Sequence, residues 1–172
     1  MIHPLSDCMN LNIPESTKVW QFTVIFPHCK VGENCNFNAN VLVENDVVIG
    51  NNVTLKSGVQ IWDGITIEDD VFVGPNASFV NNPHVRNKQY IEPVRTLLKK
   101  GCSIGSNATI LCGIEVGEYS FIGAGAVLTK STKPFTLWVG NPAKQVGFVT
   151  KSGLPLDMNC CDKEGNKHSL EE

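Results

Sequence analysis

The stretch that decides the fold is VGENCNFNANVLVENDVVIGNNVTLKSGVQIWDGITIEDDVFVGP, residues 31–75. An isoleucine, valine, leucine or phenylalanine stands at every sixth position, and this register extends without a miss from Ile13 to Phe79. The register lapses there and runs again from Leu98 to Leu128. A period of six fits neither an α-helix nor a long alternating strand, and it predicts a repeating unit of one short strand and one turn.

Two further columns of the repeat describe the turn. Glycine, asparagine or aspartate usually stands three residues after the apolar position, and these residues enter the left-handed region of φ most easily. Corners with positive φ are therefore predicted at Asn34, Asn40, Asp46, Asn52, Gly58, Gly64, Asp70, Asn76, Asn82, Gly101, Asn107, Gly113 and Gly125. The next position is small or branched, as at Ala108, Ser120 and Ala126, and is predicted to face inward. Repetition of the unit winds the chain into a prism whose strands pair with the coils above and below.

Composition limits the classes of partner. The chain is 42% hydrophobic and 18% charged, with a net charge of −3, so neither a disordered chain nor a nucleic-acid-binding protein is expected. Neither a signal peptide nor a membrane-length apolar run is present, which favours a cytoplasmic protein without a membrane partner. Seven cysteines, an odd number, agree with a reducing compartment. The adjacent pair Cys160 and Cys161 lacks the spacing of zinc ligands, so no metal is expected.

The interruption of the register is the second informative feature. Residues 80–97 contain two prolines and mixed charge, and the register resumes one residue out of phase. This pattern predicts a loop that leaves the prism. A long excursion from a regular solenoid is more often functional than accidental.

The repeats resemble those of the hexapeptide-repeat acyltransferases, as in residues 31–35, 49–53 and 104–108, where isoleucine or valine precedes glycine, two polar residues and a small residue. The resemblance implies an all-β fold, a left-handed parallel β-helix of about six coils with the loop 80–97 extruded and a short C-terminal extension. It implies one acyltransferase domain, residues 1–150, followed by a tail, residues 151–172. It also implies a homotrimer with active sites between subunits, where such a loop reaches a neighbour.

The order of motifs narrows the resemblance. Similarity to the nucleotide-sugar N-acetyltransferases lies in residues 61–76, residues 79–82 with Arg86, and residues 100–110, 122–127 and 139–144. It is greatest to the enzymes that act on dTDP-linked 3-amino-3,6-dideoxyhexoses for surface polysaccharide such as O-antigen. This branch uses acetyl-CoA as co-substrate, so coenzyme A and a nucleotide sugar are the expected ligands.

Transfer of an acetyl group to a sugar amine sets the demands on the site. The amine must be neutral to attack, so a base or hydrogen-bond acceptor has to lie within about 3 Å of it. The family often uses a histidine from the loop, which indicates His84 as general base. In the alternative, Asn81 or Asp69 orients a neutral amine and the leaving thiolate takes the proton.

Binding residues follow from the same resemblance and from ligand chemistry. Cations pair with a diphosphate and aromatic faces stack on bases or sugars, which indicates Asn38, Lys56, Trp62, Asp63 and Arg86 for the nucleotide sugar. Small residues let the pantetheine arm approach the backbone, basic residues suit the adenosine phosphates, and a backbone amide near Gly101 or Gly113 would hold the oxyanion. The predicted coenzyme A contacts are Gly101, Ala108, Gly113, Ser120, Ala124, Ala126, Lys130, Lys133, Asn141 and Lys144.

Two other functions remain open from the sequence. An O-acetyltransferase that acts on a sugar or antibiotic hydroxyl would have the same repeats and a histidine in a similar loop. A structural β-helix subunit would share the repeats, but it would need neither the loop 80–97 nor the Gly-Asn-Pro-Ala-Lys sequence of residues 140–144.

Overall fold

The computed structural model describes residues 1–172 and consists of short β-strands joined by turns. The strands are β1 (Asp7–Cys8), β2 (Lys18–Val19), β3 (Val24–Ile25), β4 (Lys30–Val31), β5 (Asn36–Phe37), β6 (Leu42–Val43), β7 (Val48–Ile49), β8 (Thr54–Leu55), β9 (Gln60–Ile61), β10 (Ile65–Ile67), β11 (Phe72–Val73), β12 (Ser78–Phe79), β13 (Thr96–Leu98), β14 (Ser103–Ile104), β15 (Thr109–Ile110), β16 (Glu115–Val116), β17 (Phe121–Ile122), β18 (Val127–Leu128), β19 (Thr136–Val139), β20 (Lys144–Val149) and β21 (Pro155–Leu156). The chain contains no helix that is long and apolar enough to span a membrane.

These strands form the three faces of a prism. The first face is the parallel series β2-β5-β8-β11-β14-β17-β19, and the third is β4-β7-β10-β13-β16. The second face consists of β1-β3-β6-β9 and, beside β9, β12-β15-β18. One coil takes 18 residues, the separation of the hydrogen-bonded neighbours Glu33 and Asn51. The predicted all-β, left-handed parallel β-helix is confirmed, with about seven turns instead of six.

The core follows the two predicted columns. A cluster of 31 buried residues runs along the axis, and the apolar column is buried throughout except at Ile13 and Val31, which are half-buried. Every residue of the small column is buried as well, and burial raises the pKa of the Cys102 thiol well above its usual value. Each buried valine, leucine, isoleucine or phenylalanine side chain stabilises the fold by about 1.5–3 kcal/mol.

Corners follow the glycine and asparagine column with four exceptions. Positive φ is present at 11 of the 13 predicted corners. The prediction is wrong at Asp46, whose N–H donates to Asp63 Oδ1 at 2.7 Å, and at Asn82, where the chain departs into the loop. Phe22 and Tyr119 also have positive φ, at 60° and 52°, although neither residue type favours it.

The corner amides are linked from coil to coil. The N–H of Asn52 donates to the carbonyl of Glu33 at 2.8 Å, and the N–H of Gly125 donates to that of Ser106 at 2.9 Å. The N–H of Gly64 likewise donates to the carbonyl of Asp46 at 2.9 Å. A corner amide is therefore satisfied by the coil beneath it, as a regular solenoid allows.

The predicted loop is present and is slightly shorter than expected. β12 ends at Phe79 and β13 begins at Thr96, so the loop spans residues 80–95 and not 80–97. Its two limbs are tied together at the base, since the N–H of Val94 donates to the carbonyl of Asn81 at 2.8 Å. Residues 83–90 are exposed.

The chain ends in an antiparallel segment. β20 pairs antiparallel with β19, and β21 pairs antiparallel with β20. Beyond it, His168 lies between two carboxylates, with Nε2 2.9 Å from Asp162 Oδ2 and Nδ1 3.0 Å from Glu172 Oε2. The hydrogen bond to Asp162, and then that to Glu172, raise the pKa of His168 and lower the pKa of each carboxylate.

Candidate active site

Three of the five predicted substrate residues, Trp62, Asp63 and Arg86, lie at one edge of the prism, between the second and third faces. This loop edge consists of residues 26–29, 44–47, 62–64, 80–95 and 111–114. Asn81 Nδ2 donates to the carbonyl of Asp63 at 3.3 Å, and Trp62 Nε1 donates to the carbonyl of Phe79 at 3.0 Å. Both bonds join neighbouring coils, so the backbone fixes the Asn81 amide and the Trp62 ring at the base of the loop.

His84 and Arg86 lie on the exposed part of the loop. The N–H of His84 donates to Asn82 Oδ1 at 2.9 Å, which forms a local turn, while the imidazole makes no hydrogen bond within the chain. Arg86 Nη1 donates only to the carbonyl of Val85, at 2.9 Å. Both side chains are free to contact a substrate, and His84 lies three positions along the chain from Asn81.

Carboxylates hold the loop edge together below Asn81. Asp63 receives the N–H of Asp46 on Oδ1 at 2.7 Å, and its own N–H donates to Glu44 Oε2 at 2.8 Å. Arg95, at the end of the loop, reaches back to Asp46, with Nη2 3.0 Å from Oδ2. The Asp63 side chain therefore supports the turn. Arg95 and Glu44 were not predicted from the sequence, because their partners are distant along the chain.

Gly113 has an amide that no carbonyl satisfies. It is the corner residue of its coil, with φ of 75°, but its N–H donates to no acceptor within the chain. The reason is the loop. Gly64, two coils below on the same edge, donates to the carbonyl of Asp46, whereas the coil directly beneath Gly113 leaves the prism at Asn82. The loop thus frees one backbone donor above Asn81, and such a donor suits a developing oxyanion.

Gly101, the other predicted amide donor, is engaged. Its N–H donates to the carbonyl of Asp69 at 2.9 Å, and the Tyr119 ring occupies the space that a Cβ would take. Asp69, predicted as a catalytic residue, is on this different edge, between the third and first faces. Its Oδ1 accepts the backbone N–H of Asn51 at 2.7 Å and Nδ2 at 3.2 Å. The structure does not bring Gly101 and Asp69 to the loop edge.

Three predicted coenzyme A contacts lie inside the prism. Ala108, Ser120 and Ala126 have no exposed surface. Ser120 Oγ donates to the carbonyl of Lys133 at 2.6 Å and also meets the hydroxyl of Thr136 at 3.2 Å. These residues face inward, as the small column of the repeat predicted, so their side chains do not line a groove.

The other predicted contacts are spread over the surface. Asn38 and Lys56 are half-buried at the edge between the first and second faces, and Asn38 Oδ1 is buried without a partner. The exposed remainder comprises Ala124, Lys130, Lys133, Asn141 and Lys144, all in the last coils or just after them. Lys130 Nζ lies 5.4 Å from the centre of the Trp138 ring. Asn38 and Lys56 are thus separated from the Trp62 and Asp63 group by one face of the prism.

A cavity of about 450 Å³ opens where the loop rejoins the prism. It is lined by Thr66, Arg95, Thr96, Leu97, Gly113, Ile114, Glu115 and Ser131. It therefore combines the free amide of Gly113 with a guanidinium group. No group of three or more histidine, cysteine, aspartate or glutamate side chains is arranged to hold a metal ion.

This solenoid with one extruded loop is the architecture of a hexapeptide-repeat transferase. A family model for the bacterial transferase hexapeptide (six repeats) matches residues 46–80 and 95–130. The chain is also 47% identical, over 149 residues, to the dTDP-3-amino-3,6-dideoxy-alpha-D-galactopyranose 3-N-acetyltransferase of Aneurinibacillus thermoaerophilus. This match covers 86% of the chain and 78% of the relative. The chain belongs to the hexapeptide-repeat acyltransferase family that includes this enzyme.

Solved structures agree with the fold. A histidine-to-asparagine variant of perosamine N-acetyltransferase from Caulobacter crescentus, in complex with CoA and GDP-perosamine, gives a TM-score of 0.64 at 20% identity. That match covers 85% of this chain and 55% of the other. A hexapeptide-repeat acetyltransferase of Vibrio cholerae, complexed with acetyl coenzyme A, gives a TM-score of 0.57 at 23% identity. This match covers 73% of this chain and 70% of the Vibrio chain.

Proposed function

We propose that the protein is an N-acetyltransferase that moves an acetyl group from acetyl-CoA to the amino group of a dTDP-linked 3-amino-3,6-dideoxyhexose. The observation that carries the proposal is the 47% identity, over 86% of the chain, with an enzyme named for this reaction. The loop edge supports the proposal, because it carries a free backbone donor at Gly113 and the hydrogen-bonded groups of Asn81 and Asp63.

The chemistry at this site is attack of a neutral amine on a thioester. The amine nitrogen forms a bond to the carbonyl carbon, the oxygen becomes negative, and the carbon–sulfur bond then breaks to release the thiolate. The N–H of Gly113 stabilises the oxyanion, and one such donor contributes about 10²–10³ in kcat. His84 accepts the proton that the amine loses, since its imidazole has no other partner and lies on the loop above Asn81.

Coenzyme A is the proposed acetyl donor, bound along the later coils. The exposed lysines among the predicted contacts, Lys130, Lys133 and Lys144, are in the last coils and beyond them, where cations would pair with its phosphates. The neighbouring Ala124 is exposed and small, which lets a pantetheine arm approach the backbone.

We further propose that the active enzyme is a homotrimer in which the loop of one subunit completes the site of its neighbour. The exposed loop residues, including Val85 at 67% and Tyr90 at 84%, have little of their own prism to pack against. Cyclic symmetry would generate three equivalent sites. Light scattering at micromolar concentration tests this: a trimer mass is expected, and a monomer with full activity contradicts it.

The proposed location is the cytoplasm, and the proposed role is the synthesis of acetamido sugars for surface polysaccharide such as O-antigen. All seven cysteines are free thiols, which suits a reducing compartment.

The experiment that tests the function is a panel of dTDP- and UDP-linked amino sugars with acetyl-CoA, followed by detection of the released thiol. We expect turnover on a dTDP-linked 3-amino sugar, with a product heavier by one acetyl group. Equal turnover on the free amino sugar would refute the nucleotide requirement. Activity on hydroxyl acceptors alone would instead establish an O-acetyltransferase.

A further inference from the structure

Arg95 has binding capacity that the fold does not use. Of its five N–H donors, only Nη2 has a partner within the chain, Asp46 Oδ2 at 3.0 Å. The two side chains are 69% and 54% exposed, and an ion pair as exposed as this contributes little to stability. The guanidinium can therefore exchange this partner for a ligand at small cost.

The charges around the cavity favour an anion beside Arg95. Arg95 is the one cationic residue of the lining, and Glu115 is the one acidic residue. The Glu115 charge is compensated from outside the cavity, because Lys99 Nζ lies 2.7 Å from Glu115 Oε1. The Gly113 N–H adds an uncommitted donor to the same cavity.

The position of Arg95 distinguishes between the two diphosphates that the proposed reaction involves. In coenzyme A, the pantetheine arm separates the reacting thioester from the diphosphate. In a nucleotide sugar, the diphosphate is attached directly to the ring that carries the amine. Since Arg95 and Gly113 line one cavity of about 450 Å³, an anion at Arg95 belongs to a ligand whose phosphate lies close to the reacting group.

We propose that Arg95 binds the diphosphate of the nucleotide-sugar substrate in this cavity, releasing Asp46 as it does so. This inference rests on the proposed function and adds to it the residue that makes the nucleotide part of the substrate necessary. A guanidinium is suited to the role because its planar fork can donate two parallel hydrogen bonds to phosphate oxygens.

The test is calorimetric titration of the parent protein and the variants Arg95→Gln, Arg95→Lys and Asp46→Asn, with dTDP and, separately, with CoA. Loss of a charge-assisted hydrogen bond predicts that Arg95→Gln binds dTDP about 10- to 100-fold more weakly. Arg95→Lys retains part of the affinity. CoA affinity stays within twofold of the parent in every variant. In turnover, Arg95→Gln raises KM for the nucleotide sugar while kcat at saturation changes little.

Asp46→Asn is the control for a purely structural role. It breaks the same ion pair but leaves the guanidinium in place, so dTDP affinity should be retained or improved. Equal losses of dTDP affinity in Arg95→Gln and Asp46→Asn would show that Arg95 only clamps the loop, and would overturn the inference. A loss of CoA affinity with unchanged dTDP affinity would overturn it as well.

Binding of dTDP is measured without turnover, so the two proposals can fail separately. If no amino sugar is acetylated but Arg95→Gln still weakens dTDP binding, the proposed reaction is wrong and the diphosphate site stands. If the parent acetylates the dTDP-linked sugar and Arg95→Gln binds dTDP as the parent does, the reaction stands and the diphosphate site is wrong.

Discussion

Replacing Ser120 by alanine tests whether this residue is part of the core or contacts coenzyme A. The sequence placed Ser120 both in the inward column and among the predicted cofactor residues, and the structure gives it no exposed surface. Its hydroxyl donates to the carbonyl of Lys133 at 2.6 Å and accepts the backbone N–H of Thr136 at 3.3 Å. The Ser120→Ala variant should therefore lose stability and keep its affinity for acetyl-CoA.

The size of the loss follows from which group is left without a partner. The carbonyl of Lys133 still accepts the Thr136 hydroxyl at 2.6 Å, so it remains satisfied. The buried N–H of Thr136 loses its acceptor, and one unsatisfied buried donor costs about 1–3 kcal/mol. In a domain of this size, that loss lowers Tm by roughly 2–12 °C.

Thermal unfolding at fixed protein concentration and acetyl-CoA kinetics are the two measurements. Ser103→Ala is the matched control, because Ser103 is half-buried on the first face and its hydroxyl makes no hydrogen bond within the chain. Its stability should stay within about 0.5 kcal/mol of the parent. A Ser120→Ala protein with unchanged Tm and a KM for acetyl-CoA raised tenfold would refute the assignment of Ser120 to the core.

Three further predictions concern the loop edge and the tail. His84→Asn should lower kcat by about 10²–10⁴-fold if the imidazole is the base. A kcat within tenfold of the parent, together with a severely reduced kcat in Asn81→Ala, would favour the substrate-assisted route. Gly113→Ala should lower kcat at least about tenfold, because alanine disfavours positive φ and the backbone would rotate to avoid it, which reorients the free N–H. Gly125→Ala is the control and should keep kcat within about threefold, because Gly125 has a similar φ but its N–H is bonded to the coil below. The carboxylates raise the pKa of His168, so its contribution to tail stability is full below the unfolded pKa of about 6.5 and is lost as pH rises through the folded pKa. The hydrogen-exchange protection factors of residues 157–172, which are corrected for the intrinsic pH dependence of exchange, should fall across that range in the parent. Unchanged protection factors, or the same pH profile of protection in His168→Gln, would contradict the prediction.

The fold could be predicted because its core is one-dimensional. Each coil repeats the one before it, so the period of six identifies both inward columns without knowledge of distant contacts. Corners depart from the glycine and asparagine column where a contact with another coil outweighs residue preference. Tyr119 holds positive φ although tyrosine disfavours it, and its ring stacks on Phe135 with centroids 5.3 Å apart and packs over Gly101. Such compensation depends on neighbouring coils and leaves no mark on the residue itself.

The candidate site was only partly predictable, for a related reason. Trp62, Asp63 and Asn81 were selected by their motif, and the structure places them together at the loop base. Asp69 and Asn38 have equally suitable side chains, but they follow other strands of the repeat and so lie on other edges. The edge at which a residue lies is set by its position within the coil, not by the chemistry of its side chain.

Gly113 and Arg95 show what the sequence does not contain. The free amide of Gly113 exists because the coil beneath it is diverted, and that depends on where the loop leaves the prism. Arg95 meets Asp46 across 49 residues of chain. Neither relation has a local spacing that a reader of the sequence could recognise.

The antiparallel strands at the C-terminal end have a consequence for self-association. A parallel solenoid that stopped at β19 would present an open strand edge, onto which another copy could add and continue the stack. β20 and β21 cover that edge in the opposite direction, and β21 contains only two residues, one of them Pro155, which has no N–H to donate. The first face is thereby protected from strand addition at this end, and a chain that ended before residue 144 would leave the β19 edge open to pairing with another copy.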